Sequence, residues 1–403
     1  MSWEIVELKD IAAKTKYPIG DGDHGAIKPS EYLDNGVPYI RVADMNWTGE
    51  ISEEKMVYIS EELNNLNPKS HLFPGDIIIS KTGATIGKVA IIPKKFKISN
   101  TTASIGKITI NREIANERFV FWAMKTPDFQ KEMWKVSHKS AQPGFNVDDL
   151  KRFKIPLPPL ATQKRIAEIL DAADALKRKD QELLKKYDEL AQAIFIDMFG
   201  DPVKNEKGWE VGKIRDLALE VKYGTSKPAE DKGSLPYLRM NNITYSGKWD
   251  FTNLKFINLN NDEYEKYTLK KGDLIFNRTN SKELVGKTAV FDIDREMAIA
   301  GYLIRLRTNS KGNSYYISSY LNSKHGKKTL EGMCKSIVGM ANINAQELQE
   351  IKILIPPIEL QNKFEDLINQ LNKIISKIDE QILESNSLFQ TLLQKAFNGE
   401  LVN

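Results

Sequence analysis

The sequence has one cysteine, Cys334, so no disulfide can form within the chain; this fits a reducing compartment. Its four histidines, at 24, 71, 138 and 325, do not cluster at zinc-ligand spacing. No run of about 18 apolar residues offers a membrane span. The opening MSWEIVELKD lacks the basic-then-apolar pattern of a secretory leader. A cytoplasmic location is therefore expected, and sequons such as Asn46-Trp47-Thr48 carry no weight. Charge of one sign is not in large excess. A net charge of +4 permits nucleic-acid binding without demonstrating it, because patches matter more than totals.

What is present is a long chain written nearly twice. Its 403 residues suffice for two or more domains, each with its own core. Hydrophobic content of 41% and charge of 28% are those of an ordinary soluble protein, and 9% aromatics argue against disorder. LPPLATQKRIAEIL (Leu157–Leu170) recurs as IPPIELQNKFEDLI (Ile355–Ile368). Pro159 maps on Pro357, Gln163 on Gln361 and Phe199 on Phe397, an offset of 198. WEIVELKDIA (Trp3–Ala12) matches WEVGKIRDLA (Trp209–Ala218), and VPYIRVADMNWTGEI matches LPYLRMNNITYSGKW. FPGDIIISKTGATIGKVAII matches KKGDLIFNRTNSKELVGKTAVF, and Asn146 falls over Asn344.

Each copy begins with short β-branched runs (PYIRV, GDIIIS, GKVAIIP, SIGKITI) bounded by Gly, Pro and Asn, which predict strands. A helix is predicted at Glu117–Lys125, and the Pro-Pro pair closes the globular part. A long helical segment follows in each copy. Ile166, Ile169, Ala173, Leu176, Asp180, Leu183, Tyr187, Leu190 and Ile194 alternate by three and four. So do Phe364, Leu367, Leu371, Ile374, Ile378, Gln381, Ser385, Leu388 and Leu392. That spacing predicts coiled-coil seams, with Asp180, Gln381 and Ser385 as polar register residues.

The expected fold class is α+β. Two similar globular domains, 1–156 and 200–354, are joined by two long helices, 157–199 and 355–403. If the seams pair they run antiparallel, giving a pseudo-two-fold molecule. The helix from Leu160 to Met198 would be about 58 Å long, or about 17 base pairs of DNA.

Enzymatic motifs fail on inspection. KTGATIGKV (Lys81–Val89) sets its glycines one residue too close for a phosphate loop, and Val89 replaces the hydroxyl. The Pro-Pro pairs lack the amide and aromatic neighbours of a base methyltransferase and read as helix-entry prolines. Pro127, Asp128, Glu132 and Lys135 have the residue types of a metal-dependent nuclease but fall on a predicted helix face, and the second copy lacks them. GDGDHG (Gly20–Gly25) reads first as a flexible loop, with DNA contact or a metal site as the alternatives.

Polar residues around the strand ends form a better constellation. The first copy offers Arg41, Asn46, Lys81, Thr82, Thr85, Lys139, Gln142 and Asn146. The second offers Arg239, Asn241, Asn242, Arg278, Thr279, Asn280, Ser281, Lys282 and Lys335. Arg suits guanine edges, Asn and Gln suit adenine edges, and Lys and Thr suit phosphates. Trp47, Tyr245 and Trp249 are interleaved aromatics.

The order and duplication of these blocks resemble the specificity subunits of type I restriction–modification systems. The likeness covers essentially the whole chain and rests on the WEIVELKDIA/WEVGKIRDLA, GD (Gly75, Gly272) and Pro-Pro-helix blocks. It implies a non-catalytic subunit with two target-recognition domains, each reading one half-site of a bipartite double-stranded DNA target across a fixed spacer. It also implies two modification (methyltransferase) subunits and restriction subunits as partners. S-adenosylmethionine, ATP and Mg would then belong to those partners, and this chain would need no cofactor or metal. The first copy has IGDGDHG where many members have a Gly-Gly-Thr-Pro-like turn; KYGTSKP in the second is nearer to it. The alternative is a non-catalytic scaffold whose heads bind proteins.

Overall fold

A computed structural model describes residues 3–138, 143–281, 284–334 and 341–401. The chain divides into two compact units, Met1–Asp180 with Gln381–Asn403, and Gln181–Glu380. Each is α+β and holds one globular head together with a stretch of both long helices.

In the first unit the fully buried strand Ile77–Ser80 lies in a four-stranded sheet ordered Ile19–Asp21, Ile105–Ile108, Ile77–Ser80, Val89–Ile91. Three successive isoleucines suit a strand covered on both faces. The chain enters it through Gly75, at φ +91°, with the Asp76 carboxylate accepting a hydrogen bond from the Phe73 amide at 2.8 Å. A three-stranded sheet of Val57–Ile59, Val37–Ile40 and Asn100–Thr101 lies beside it in sequence, and Glu4–Glu7 pairs with Lys154–Leu157 to close the head. Asn116 caps the helix Glu117–Met124, which drives Phe119 and Trp122 into the core. That core also takes Ile166, Ala167 and Leu170 from the central helix (Leu160–Phe199) and Phe389, Leu393 and Ala396 from the distal helix (Ile358–Phe397).

The second unit repeats the plan. Its sheets are ordered Ala218–Tyr223, Leu303–Thr308, Leu274–Asn277, Thr288–Val290, and Lys255–Ile257, Leu235–Leu238, Ala298–Ile299. Registers coincide: Ile77 faces Ile108 in one head and Leu274 faces Leu306 in the other. Phe195 and Phe199 of the central helix and Phe364, Ile368 and Leu371 of the distal helix enter its core with Tyr316.

The paired glutamines of the repeat lock helix to head. Gln163 is fully buried; it accepts from the Asn116 amide (2.9 Å) and donates to the carbonyls of Ile114 (3.1 Å) and Pro158 (2.7 Å). Gln361 does the same with the Asn313 amide (3.0 Å) and the carbonyls of Lys311 (3.0 Å) and Pro356 (2.8 Å).

Two expectations need correction. Leu157 and Ile355 end strands rather than begin helices, because each Pro-Pro pair intervenes before helix starts at Leu160 and Ile358. The compact units also part within the helices, after Asp180 and after Glu380, because each half-helix packs on its own head.

The buried stripe departs from the heptad seam as well. Ile166, Phe364, Leu371 and Ile378 are buried as expected, and Ile169, Ala173 and Leu367 are half-buried. Leu176, Leu183, Leu190, Ile374 and Leu388 are exposed, at 40–53%. A seven-residue step drifts about 20° per heptad around a straight helix. Burial instead follows Leu170, Asp174, Phe195 and Phe199, and Ile368, Ile375, Phe389 and Leu393. Of the polar seam residues, Gln381 is exposed, whereas Ser385 and Asp180 are buried and hydrogen-bonded at 3.2 Å. In that unit Lys177 lies over Phe389 while Asp180 meets Ser385, so the two helix segments run in opposite senses. Among the described residues no helix is long and apolar enough to cross a membrane.

Replacing Gln163 by Leu strands a buried carbonyl at Pro158 together with a part-buried amide and carbonyl at Asn116 and Ile114. Unfolding in urea should show a loss of roughly 2–4 kcal/mol. A loss below about 1 kcal/mol would mean that other groups replace the clamp.

Candidate nucleic-acid interface

The structure divides the predicted polar residues of each head into two groups. The first surrounds a turn after the strand Val37–Ile40 or Leu235–Leu238. Here Arg41 grips Asp44 through Nε (3.0 Å) and Nη2 (2.9 Å) and donates to the Lys55 carbonyl. Asn46 closes the next turn, its Oδ1 accepting from the Glu50 amide (2.8 Å) and the Thr48 hydroxyl (2.6 Å). Arg239 donates to the Asn253 carbonyl (2.8 Å), and buried Asn242 to that of Asp250 (2.8 Å). Arg41, Asn46, Arg239 and Asn242 therefore hold turns through these bonds rather than standing as wholly free reading groups, although Arg239 Nε is left without an acceptor. Asn241 faces solvent, as do Trp47 and Tyr245.

A half-buried lysine lies against this turn in each head. Lys125 Nζ donates to the carbonyls of Trp47 (3.1 Å) and Thr48 (2.9 Å). Burial pushes its pKa down to about 8, with Asp174 opposing and Lys177, Arg178 and Arg118 assisting. Lys327 lies 4.8 Å from the Tyr245 ring centroid, and burial with Lys287 nearby pushes it down to about 8 as well.

The second group lies at the end of the buried central strand. Lys81 and Arg278 follow Ser80 and Asn277 directly, and their backbones are held alike. The Lys81 amide donates to the Ser104 carbonyl, and its carbonyl accepts from the Phe145 amide. For Arg278 the partners are Tyr302 and Ile343. Around Lys81 stand exposed Thr82, half-buried Thr85, whose hydroxyl is 3.1 Å from that of Ser80, and Asp21. Around Arg278 stand Thr279, bonded to Asn342 at 3.1 Å, Asn280, whose side chain accepts from the Ser281 amide, and Tyr223.

Asn146 serves as the cap of the helix Val147–Arg152. Lys139, Gln142, Lys282 and Lys335 lie outside the described residues. Asp128, Glu132 and Lys135 are exposed on the helix Pro127–Ser137, a solvated face as expected. Tyr223, Tyr302 and Asp21 were not selected from sequence. Strand pairing brings Asp21 and Tyr223 to the site and a backbone bond brings Tyr302, although GDGDHG and KYGTSKP mark the places of the first two. A groove of about 1390 Å³ in the second unit, lined by Phe195, Tyr245, Trp249, Tyr315 and Ile368, contains none of the candidate reading residues.

The two heads also match a known family. The family described as "Type I restriction modification DNA specificity domain" matches residues 1–186 and again 206–385. The chain belongs to this family. The type I restriction enzyme EcoKI specificity subunit of Escherichia coli (strain K12) is 24% identical over 396 residues, spanning 91% of this chain and 83% of that protein. The MjaIX specificity subunit of Methanocaldococcus jannaschii is 24% identical, over 99% and 93%. The crystal structure of a type I S subunit from M. genitalium has the same fold, with a TM-score of 0.61, 14% identity and coverage of 98% and 96%. Specificity subunits of these systems are non-catalytic, and so is this chain.

The half-buried lysines generate a pH test on this specificity subunit. A lysine with a depressed folded pKa penalises the folded state while it is charged. Stability should therefore rise as pH climbs from about 8 towards the unfolded value of 10.5. Urea midpoints at two pH values in that window should rise less in Lys125→Met than in the unaltered chain. Equal slopes would mean that Lys125 is not desolvated.

Proposed function

We propose that this chain is the subunit that reads a bipartite double-stranded DNA target, one short half-site per head, across a spacer set by the two long helices acting as an antiparallel coiled coil. The observation that carries the reading is a fold repeated register by register with different side chains at the equivalent strand ends: Lys81 and Asp21 in one head, Arg278 and Tyr223 in the other. Two rims of one architecture and unlike chemistry suit two unlike half-sites. Each long helix has 40 residues, about 60 Å, or nearly 18 base pairs of duplex.

In this reading the chain recruits two modification (methyltransferase) subunits and then restriction subunits in the cytoplasm. S-adenosylmethionine, ATP and Mg would be held by those partners. The exposed leucines 176, 183 and 190 support such docking, since apolar residues at seven-residue spacing are what a partner helix packs against.

Selection from a random-duplex library, with the full chain alone and with its methyltransferase partner, should enrich two short motifs at a constant gap. Affinity should fall steeply with salt as phosphate contacts release counterions. No enrichment in either setting, with salt-insensitive binding, would favour heads that grip proteins. Removing one heptad from each helix shortens it by about 10.5 Å, and the preferred gap should shrink by roughly three base pairs. An unchanged gap would refute the helices as a ruler.

A further inference from the structure

We propose that Arg278 is the side chain with which the second head reads a guanine, held in its reading posture by Tyr223, and that the first head has withdrawn the equivalent Lys81 from DNA through Asp21. This rests on the reading of the heads as DNA-binding and assigns the chemistry of one contact within it.

The strand registers establish the equivalence. Ile79 faces Gly106 and Phe276 faces Ile304 across the central strand pairs. Asp21 faces Gly106 and Tyr223 faces Ile304 from the other side. Asp21 and Tyr223 thus occupy one place, and Lys81 and Arg278 another, in two copies of the same sheet. The neighbours of each pair, Ser104 and Tyr302, receive the same backbone hydrogen bond.

The chemistry at this place is opposite in the two heads. Lys81 is buried, with Nζ 2.5 Å from Asp21 Oδ2, while His24 Nε2 stands 3.1 Å from Oδ1 of the same carboxylate. Burial works against the Asp21 charge, but the hydrogen bonds from Lys81 and His24 prevail and keep its carboxyl below the usual range. The lysine charge is neutralised where it sits, so a phosphate would have to displace a carboxylate to reach it.

At the second head no carboxylate takes that place. The Arg278 guanidinium lies 4.8 Å from the Tyr223 ring centroid. Its Nε is buried without an acceptor, and among the described residues the side chain makes no hydrogen bond or ion pair. A cation–π contact with an aromatic face restrains a guanidinium without taking up its N–H donors. Unmet donors in a partly buried setting are costly until a ligand meets them. Two parallel N–H groups in a fixed plane match O6 and N7 of guanine in the major groove. A phosphate would accept a mobile cation equally well and needs no such fixed plane. Tyr302 and Tyr223, both exposed, border the site, so a base edge can reach it.

The test compares random-duplex selection by the full chain with that by Arg278→Gln, Arg278→Lys and Tyr223→Leu, with measured affinities. Arg278→Gln and Arg278→Lys should lose the preference for guanine at one position of the second half-site, by roughly 10- to 100-fold. Tyr223→Leu should weaken that preference in the same direction. The first half-site should stay intact in all three, which also reports that the proteins are folded. Weaker binding at every sequence, with a shallower salt slope, would assign Arg278 to a phosphate and overturn the proposal. So would unchanged selection, or a second half-site without a G·C pair. A complete lack of motif with the unaltered chain would instead remove the DNA-reading function, and this assignment with it. For the first head, Asp21→Asn should release Lys81 and steepen the slope of log affinity against log salt by about one. An unchanged slope would mean that Lys81 is not withheld by Asp21.

Discussion

A buried glutamine side chain near the start of each long helix is the contact on which the architecture turns. Gln163 and Gln361 each satisfy one backbone amide and two backbone carbonyls that are buried or part-buried. The three groups belong to the cap of the helix that carries the core aromatics, to the turn just before that cap and to the strand-closing Pro-Pro segment. One primary amide therefore sets where the helix leaves its head. Phe119 and Trp122, and likewise Tyr316, can pack on the helices only when that exit is correct. Trp122 adds a second tie, its indole N–H donating to Asp171 at 2.7 Å while Arg118 grips the same carboxylate.

The duplication, the strand-rich heads and the two long helices were all legible in the sequence, because repeats, β-branched runs and helical spacing are local or self-similar signals. Gln163 and Gln361 also stood out as an aligned pair, though nothing local revealed what they bond. The polar constellation was only half legible. Arg41 and Arg239 have the residue type of a base reader, but each also donates to a carbonyl 14 residues downstream, and Arg41 to Asp44, in turns that sequence patterns do not register. Lys81 is neutralised by a carboxylate 60 positions earlier, brought beside it only by strand pairing. The heptads misled for a different reason. A seven-residue repeat and a 3.6-residue helix agree over two turns and diverge over ten, so Leu183 and Leu190 fall outside the buried stripe.

The two heads divide their residues by how freely they have changed. Backbone hydrogen bonds, sheet order and the glutamine clamps are the same in both, while the side chains that end the central strands differ in charge and in partner. Where Asp21 stands in one head Tyr223 stands in the other, at identical register. A rigid frame with a changeable rim lets a reader alter its preference without refolding, since the altered residues bear little of the packing.

The discontinuity of the first unit has a consequence for how the protein is made. Leu170 and Phe389 share one core, yet the ribosome adds them more than 200 residues apart. At roughly 5–20 residues per second, that is a wait of about 10–45 s. The second unit, one unbroken stretch from Gln181 to Glu380, has all its parts emerged first. During the wait the face that will receive Phe389, Leu393 and Ala396 is open to water, to chaperones and to other nascent chains. Translation therefore imposes an order that the duplicated sequence hides: the later half closes first, and the earlier half is finished by the C-terminal turns of the distal helix.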